Sequence, residues 1–305
     1  MSLPLARQAA RLFGLDPETV TPVAMRENLT FSAMAGDKKF ALRLHRPGYA
    51  SPSAIRSELA FMAALANTDF AVPTPKPSST HQLVEDMDGQ LVSVLSWVEG
   101  IQLSETLDDP TCEIPTLFHT LGQTLALMHS AADAWTPPEN FTRHSWNLDG
   151  LLGESPHWGR FWENPHLSSD DQKTLSNLRD DLYSRLSAAA PDLDYGLIHA
   201  DAVGENVLIH KGKTTLIDFD DSGWGFRLFD LATPLNKMRT RPEYSDIEAA
   251  LLDGYQSCRP IDTTHLDLIR LLRALTYLGW VIPRIHEPEG QQRLIRFRDT
   301  VFALM

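Results

Sequence analysis

The segment from Leu197 to Asp221, LIHADAVGENVLIHKGKTTLIDFDD, is the feature that most restricts how this chain folds. It places four Asp, one Glu and one Asn among short aliphatic runs that look like buried strands. Ionised carboxylates are costly to bury unless they are paired or bind a cation. The segment is therefore either a solvated loop or the wall of a site that holds something cationic.

The spacing within this segment predicts a hairpin with an oxygen-rich end. The runs NVLIH and TTLIDF are typical of strands, and residues 211–213 form a turn signal between them. Asn206 then starts one strand and Asp218 ends the other, and in an antiparallel hairpin these two ends are neighbours. Asp201 lies in the loop just before. Converging oxygen ligands suit Mg²⁺, which is usually shared with phosphate groups, so we expect a magnesium site here.

The composition restricts the class of protein. The chain has 305 residues, of which 43% are apolar and 22% charged, the proportions of a globular protein with one large domain or two smaller ones. A formal net charge of −13 argues against nucleic acid or an anionic membrane as a partner and is compatible with a cationic substrate. Two cysteines without CxxC spacing, and no apolar run of membrane-spanning length, predict a cytoplasmic protein.

The order of the predicted elements indicates two lobes. After an amphipathic helix expected at the N-terminus, β-type runs with a hairpin turn at 36–37 surround a second helix that begins near Ser51 or Ser53. Beyond that point, helical periodicity dominates. We therefore expect an α+β fold with a small β-rich N-terminal lobe over residues 1–99 and a larger, mainly helical lobe over residues 100–305.

Three motifs resemble those of the aminoglycoside phosphotransferase and choline kinase family, which has the two-lobed protein-kinase-like fold. In this chain they are His199-x-Asp201-x-x-x-x-Asn206, Asp218-Phe219-Asp220 and Asp230-Leu231-Ala232. The first two follow the kinase order H-x-D-x-x-x-x-N and then D-F-x. The resemblance covers nearly the whole chain, because the preceding lobe has the expected order of elements, and it extends to sequences of the homoserine kinase type II branch.

The resemblance implies an ATP- and Mg²⁺-dependent enzyme that phosphorylates a hydroxyl group. It implies that Asp201 orients the acceptor hydroxyl and takes its proton, while Asn206 and Asp218 hold Mg²⁺ against the triphosphate. His199 and Asp230 are expected to brace the catalytic loop. The neighbouring acids at positions 220 and 221 either assist the metal or belong to a solvated face.

On the nucleotide side, the third strand carries Ala41-Leu42-Arg43 where the family pattern A-x-K has lysine. The resemblance implies that Ala41 leaves room for adenine and that Arg43 engages phosphate oxygens while pairing with Glu58 on the following helix. Arginine keeps the charge of lysine but differs from it in geometry. The alternative is an exposed arginine on an edge strand and an ordinary surface glutamate.

Two further segments are expected to contact the nucleotide. The chain has no G-x-G-x-x-G, and RENLTFSA occupies the place of the hairpin that covers the phosphates. Asn28 and Thr30 in that segment are either phosphate contacts or parts of a plain turn. VLSWVEG resembles the hinge between the lobes, where backbone groups of Ser96 and Val98 would meet the adenine edge.

The acceptor substrate is the least constrained feature. The fold resemblance places the aromatic segment 135–162 and the helix LRALTYLGWVIPRIHE around the acceptor site. Trp146, Tyr277 or Trp280 then offers a cation–π face to an amine, unless these aromatic residues belong to the helical core. Arg284 is a candidate for binding a carboxylate. We expect a small, amine-bearing acceptor that is homoserine-like, choline-like or aminoglycoside-like.

Three other functions account for parts of the pattern. A bacterial-type protein Ser/Thr kinase would need an open groove and an activation segment with D-F-G and A-P-E, which the sequence does not show. A nucleotide-binding pseudokinase that serves as an interaction module is supported by Arg43 alone. A metal-dependent phosphatase or nuclease leaves the spacing from Asp201 to Asn206 unexplained. A small-molecule kinase therefore accounts for the largest share of the motifs.

Overall fold

The structure, a computed structural model, describes residues 2–25, 28–68, 70–109 and 111–305. In chain order, strands β1 to β11 are Asp16–Met25, Leu29–Ala35, Lys38–Leu44, Val84–Met87, Gln90–Ser96, Ile101–Gln102, Ser145–Trp146, Tyr195–Ile198, Val207–His210, Lys213–Leu216 and Gly223–Phe226. Helices α1 to α10 are Ser2–Leu12, Pro52–Ala66, Leu103–Thr106, Ile114–Asp133, Leu148–Leu152, Ser169–Ala189, Arg227–Met238, Tyr244–Gln256, Leu266–Trp280 and Gly290–Leu304. A β-rich N-terminal part is followed by a mainly helical part, so the expected α+β architecture is confirmed.

The N-terminal part is an antiparallel sheet in the order β1-β2-β3-β5-β4. β2 and β3 are joined by the predicted two-residue turn, in which Gly36 has a φ of 58°. Along β3, Leu42 and Leu44 are buried against α1, and alternation turns Arg43 to the opposite face. The strand pattern therefore delivers Arg43 to the side of the sheet where α2 packs.

Helix α2 begins where the sequence predicts. Ser51 is its N-cap, and the Ser51 hydroxyl accepts a hydrogen bond from the Ala54 amide at 3.1 Å. Pro52 occupies the first helical position, where its missing N–H costs nothing. Two turns further on, the helix carries Glu58, which is only 2% exposed and faces Arg43 across the gap to β3.

The chain passes from the first sheet to the second between residues 97 and 100. β5 ends at Ser96, and β6 already pairs with β9 in a separate three-stranded sheet of order β10-β9-β6. A third small sheet has the order β7-β11-β8. A division between residues 99 and 100 stays a prediction, and this crossing supports it.

Helix α7 lies at the centre of the C-terminal part. Of its twelve residues only Lys237 is not buried, as expected for a helix covered on all sides. Its neighbours include α8, α9 and β8. None of the described helices is both long and apolar enough to cross a membrane. Because Asp230 lies on this buried helix, its carboxylate must find hydrogen-bond donors in the interior.

Candidate active site

The acidic segment folds as the predicted hairpin, with small differences at its ends. β9 and β10 pair from Val207 with Leu216 to His210 with Lys213, so the turn is one residue shorter than expected. Both turn residues, at 211 and 212, have positive φ values of 51° and 74°. A two-residue type I′ turn requires positive φ at both of its central residues. Its twist matches that of the flanking strands, and it fixes the register of the hairpin.

Asn206 and Asp218 lie just outside the two strands rather than within them. Asn206 ends a 3-10 turn, and Asp218 follows β10 by two residues. The Ile217 amide donates a hydrogen bond to the Asn206 carbonyl at 2.9 Å, so the two candidate ligands flank one backbone contact. Asp218 has a φ of 64°, which is uncommon for a residue other than glycine and is found most often at functional sites.

Both carboxylate oxygens of Asp201 are held by neighbouring side chains. Oδ2 accepts a hydrogen bond from Nδ2 of Asn206 at 2.9 Å, and Oδ1 accepts one from Nη2 of Arg273 at 2.7 Å. The side chain is 22% exposed. Removal from water raises the pKa of Asp201 to about 7, with Asp221 and Asp218 adding to the rise and Arg273 opposing it. A carboxyl group with a pKa near neutrality suits proton acceptance.

Asp230 and His199 make the contacts expected of residues that brace the loop. The buried Asp230 carboxylate accepts hydrogen bonds from the amides of His199 at 2.8 Å and Ala200 at 2.6 Å. His199 donates from Nε2 to the Ile217 carbonyl at 3.0 Å, which ties the loop to the hairpin. Burial lowers the pKa of His199, so the ring is neutral. These contacts support the bracing role, which stays a prediction.

Arg43 is buried between two acids, so the alternative of an exposed edge-strand arginine is wrong. Nη2 donates to Glu58 at 2.7 Å and Nη1 donates to Asp220 at 2.9 Å. Burial alone would lower the pKa of Arg43, but the two acids outweigh it and raise the pKa. The side chain of Asp220 is only 14% exposed. Asp220 is therefore not on a solvated face.

The segment that is expected to cover the phosphates contacts the loop after β10, residues 218–222. We call this loop the metal loop, because Mg²⁺ is expected there. Nδ2 of Asn28 donates a very short hydrogen bond to Oδ2 of Asp220, and its Oδ1 accepts one from the Arg46 amide at 3.3 Å. Thr30 lies in β2 directly opposite Arg43. Two further residues of the segment, Arg26 and Glu27, lie outside the described residues. Asn28 is therefore more than part of a plain turn, because it bridges to the C-terminal part.

The expected adenine side is only partly accessible. Ala41 is half-buried in β3 and pairs with Leu95 of β5. The Ser96 amide already donates to the Thr74 carbonyl at 2.8 Å, and its hydroxyl accepts from the Thr74 amide at 2.8 Å. The Ser96 N–H is thus committed within the protein. A backbone contact to adenine from the segment that contains the half-buried Val98 stays a prediction.

A cavity of about 330 Å³ lies beside the end of α9, in the region that the resemblance assigns to the acceptor. Its walls come from the α9 region, the aromatic segment and the connection before α2, and they consist of Tyr49, His157, Trp158, Gly159, Gly279, Trp280, Ile282, Pro283 and Arg284. Trp280 and Arg284 both line this cavity, and their role at the acceptor stays a prediction; the helix ends at Trp280, and Arg284 belongs to a following 3-10 turn. Nη1 of Arg284 donates to the Trp280 carbonyl at 3.0 Å, and the guanidinium stacks 4.3 Å from the Trp280 ring centroid.

The prediction that Trp146 offers a face to an amine is wrong. Its side chain is fully buried, stacks on Phe229 and donates from Nε1 to the Asp221 carbonyl at 2.9 Å. Trp146 therefore belongs to the core beneath the metal loop. Tyr277 is half-buried, and its hydroxyl accepts a hydrogen bond from Arg273 at 2.9 Å rather than facing the cavity.

Sequence reasoning missed a histidine pair between Asp221 and the cavity. His144 and His157 stack with ring centroids 3.7 Å apart, and Nε2 of His157 lies 3.8 Å from Oδ1 of Asp221. The three residues have ligand types of a transition-metal site and ligand atoms within 4.8 Å of one another. Nε2 of His144 donates to the Asp221 carbonyl at 2.8 Å, so Nδ1 is the ring nitrogen that this residue would offer to a cation.

The sequence did not indicate a role for Arg143, which holds the metal loop in place by hydrogen bonds. Its guanidinium donates to the carbonyls of Phe219 at 3.2 Å and Ala54 at 3.1 Å, and also to those of Asp220 and Ser222. This links the loop after Asp218 to helix α2. An arginine in an irregular segment gives no local signal for such a contact, because its partners are backbone carbonyls far away in sequence.

Several known phosphotransferases and kinases are similar to this chain. Residues 19–262 match the model of the phosphotransferase enzyme family. A homoserine kinase from Chelativorans sp. (strain BNC1) is 29% identical over 260 residues, which cover 80% of this chain and 74% of that protein. A microcompartment-associated aminopropanol kinase superposes with a TM-score of 0.84 and 28% identity, covering 99% and 95% of the two chains.

A more distant solved structure shares the fold. The amicoumacin kinase hAmiN, solved with AMP-PNP, Ca²⁺ and Ami, superposes with a TM-score of 0.80 at 21% identity, covering 98% of this chain and 92% of that one. Kinases of this fold thus include a complex with an ATP analogue and a divalent cation. The expected two-lobed, kinase-like fold is confirmed by these superpositions.

We predict that Arg43→Lys lowers the free energy of unfolding by about 1–3 kcal/mol, because one ammonium group reaches Glu58 or Asp220 but not both. Urea unfolding measures the change. Arg46→Lys is the matched control, since Arg46 is exposed two residues beyond the end of the same strand, and its change is expected within about 0.5 kcal/mol. Equal stability of the two variants would contradict the double ion pair.

Proposed function

This chain belongs to the phosphotransferase enzyme family, and we propose that it transfers the γ-phosphate of Mg²⁺-ATP to a hydroxyl group of a small, amine-bearing molecule. The proposal rests on the hydrogen bond from Nδ2 of Asn206 to Oδ2 of Asp201 at 2.9 Å. The Asn206 carbonyl in turn accepts from the amide of Ile217, the residue before Asp218. Asp201 would accept a proton, and Asn206 and Asp218 would offer oxygen ligands to a cation. Phosphoryl transfer requires both roles.

The oxygen ligands fit Mg²⁺ by their chemistry. Nδ2 of Asn206 is committed to the main-chain and side-chain oxygens of Asp201, so Oδ1 is the atom that this side chain offers to a cation. Asp218 adds a carboxylate, and both are the hard donors that Mg²⁺ prefers. When bound, the ion supplies neutralisation of the phosphate charge.

The chain's own residues would carry out the remaining work. Asp201 orients the acceptor hydroxyl and takes its proton as the hydroxyl oxygen bonds to the γ-phosphorus and the bond from phosphorus to the ADP oxygen breaks. Arg43, whose Nη1 bonds Asp220, would bring its positive charge near the phosphates, and Glu58 fixes the direction of its guanidinium. Most of the rate enhancement in such a site comes from positioning and charge neutralisation.

The proposal of an amine-bearing acceptor rests on charge and size. Asp218 and Asp221 lie close enough to Asp201 for their charges to raise its pKa. This concentration of negative charge favours a cationic acceptor. The cavity of about 330 Å³ lies within the range of small-molecule sites. Homoserine and aminopropanol, the compounds that name two similar kinases, each carry a hydroxyl and an amino group.

We predict that Asp201→Asn lowers kcat by at least about 100-fold while the dissociation constant of Mg²⁺-ATP stays within about 2-fold, because proton acceptance is lost but no phosphate contact is. ADP release is measured across a panel of hydroxylated amines and amino acids. Asp253→Asn, at a carboxylate that is 79% exposed, is the control and should retain wild-type turnover. Retained turnover in Asp201→Asn would remove the base assignment.

A separate prediction concerns the metal. Asp218→Ala should abolish the increase in nucleotide affinity that Mg²⁺ produces, because the site loses its carboxylate ligand. Calorimetric titration with AMP-PNP, with and without Mg²⁺, measures the increase. Asp299→Ala removes a carboxylate that is 60% exposed and should leave the Mg²⁺ effect unchanged. An undiminished Mg²⁺ effect in Asp218→Ala would refute the metal role.

A further inference from the structure

Arg273 on helix α9 is a fully buried arginine that reaches the proposed base. Its side chain is 0% exposed, and Nη2 lies 2.7 Å from Oδ1 of Asp201. The other donors are also engaged: Nε with the Thr233 hydroxyl at 3.0 Å, Nη1 with the Thr276 hydroxyl at 3.0 Å, and Nη2 additionally with the Tyr277 hydroxyl at 2.9 Å. The guanidinium is therefore fixed in a single orientation.

Aromatic rings enclose the same guanidinium. Its central carbon lies 4.2 Å from the ring centroid of Tyr277, 4.8 Å from that of Trp158 and 5.3 Å from that of Phe229. Such contacts stabilise a cation that has lost its water, and they restrict sideways movement of the group. Trp158 also lines the acceptor cavity, so the ring that holds Arg273 is part of the acceptor wall.

Burial of the Arg273 charge costs hydration free energy, which the ion pair with the Asp201 carboxylate offsets. A buried arginine must recover its loss of hydration from a partner, and a well-packed apolar residue is often at least as stabilising at such a site. The loop from Asp201 to Asn206 contains no cationic residue, and its glutamate at position 205 is paired with Lys237. The cation that bonds the Asp201 carboxylate directly comes from α9, 72 residues further along the chain, and Lys237 of α7 acts on it more weakly.

We propose that Arg273 is a positioning residue, which fixes the carboxylate of Asp201 for proton acceptance by holding Oδ1 while Asn206 holds Oδ2. This inference rests on the proposed role of Asp201 as the proton acceptor. With one donor on each oxygen, the carboxylate plane has no freedom to turn about its bond to the Cβ atom. Small misplacements of a catalytic group have large effects on rate, so the arginine acts on turnover through Asp201.

The test compares Arg273→Lys with wild-type protein. Lysine retains the charge but has no planar fork, so it does not keep the bonds to Asp201, Thr233 and Thr276 together. We expect kcat to fall by about 10- to 100-fold, with the dissociation constant of Mg²⁺-ATP within about 2-fold of wild type. Unchanged kcat in the folded variant would overturn the inference.

Arg270→Lys is the matched control for the loss of a buried arginine. Arg270 lies one turn earlier on α9, is 7% exposed and pairs with Glu248 and Asp267 rather than with Asp201. We expect its kcat to stay within about 2-fold of wild type even where its melting temperature falls as much as that of Arg273→Lys. An equal loss of kcat in both variants would show a structural effect alone and overturn the proposal.

A double-mutant cycle separates positioning from an independent role. In the Asp201→Asn background, Arg273→Lys should cause no further loss of the residual turnover, because its effect passes through the carboxylate. A further loss of the same factor would overturn the inference. If Arg273→Lys does not fold, Tyr277→Phe, which removes only the hydroxyl that bonds Nη2, takes its place, with a loss of a few-fold expected and unchanged kcat as the contrary result.

Failure of this inference is distinguishable from failure of the proposed function. If wild-type protein releases no ADP with any acceptor, the proposed function fails and this inference falls with it. If wild-type protein is active and Asp201→Asn is not, but Arg273→Lys equals wild type, only the role of Arg273 is refuted.

Discussion

The arrangement of the site depends on the hydrogen bonds that the buried carboxylate of Asp230 accepts. Helix α7 places it in the core, where burial alone would raise its pKa, but hydrogen bonds from His129 and from the amide of His199 outweigh burial and lower the pKa. The ionised group then holds the consecutive amides of His199 and Ala200, the latter at a φ of 66°. Asp201 is the next residue, so its backbone position is set from the centre of the fold.

A second interaction connects the N-terminal sheet to this centre. Arg43 bonds Glu58 of its own lobe and Asp220 of the metal loop, while Asn28 reaches the same carboxylate from the β1–β2 connection. Asp220 therefore occupies the face of Arg43 that the resemblance assigns to nucleotide phosphates. Substituting arginine for lysine makes this double contact geometrically feasible, because a fork with two donors serves two acids at once.

The sequence predicted the parts of the site that depend on local spacing. The hairpin, the adjacency of Asn206 and Asp218 and the Ser51 cap follow from turn chemistry and strand period, which a few neighbouring residues determine. It did not predict Arg273, because that arginine meets Asp201 only through the packing of α9 on α7. It also failed for Trp146, since composition does not distinguish an aromatic residue of the core from one at a cavity wall.

The central claim, transfer of phosphate to a small hydroxylated amine, is tested most directly by phosphorus-31 NMR of the products. Wild-type protein is incubated with Mg²⁺-ATP and one acceptor at a time from a panel of amino alcohols and hydroxy amino acids. The account predicts a new phosphomonoester resonance that appears together with ADP and only when an acceptor is present. Formation of ADP with inorganic phosphate alone, for every acceptor in the panel, would contradict it.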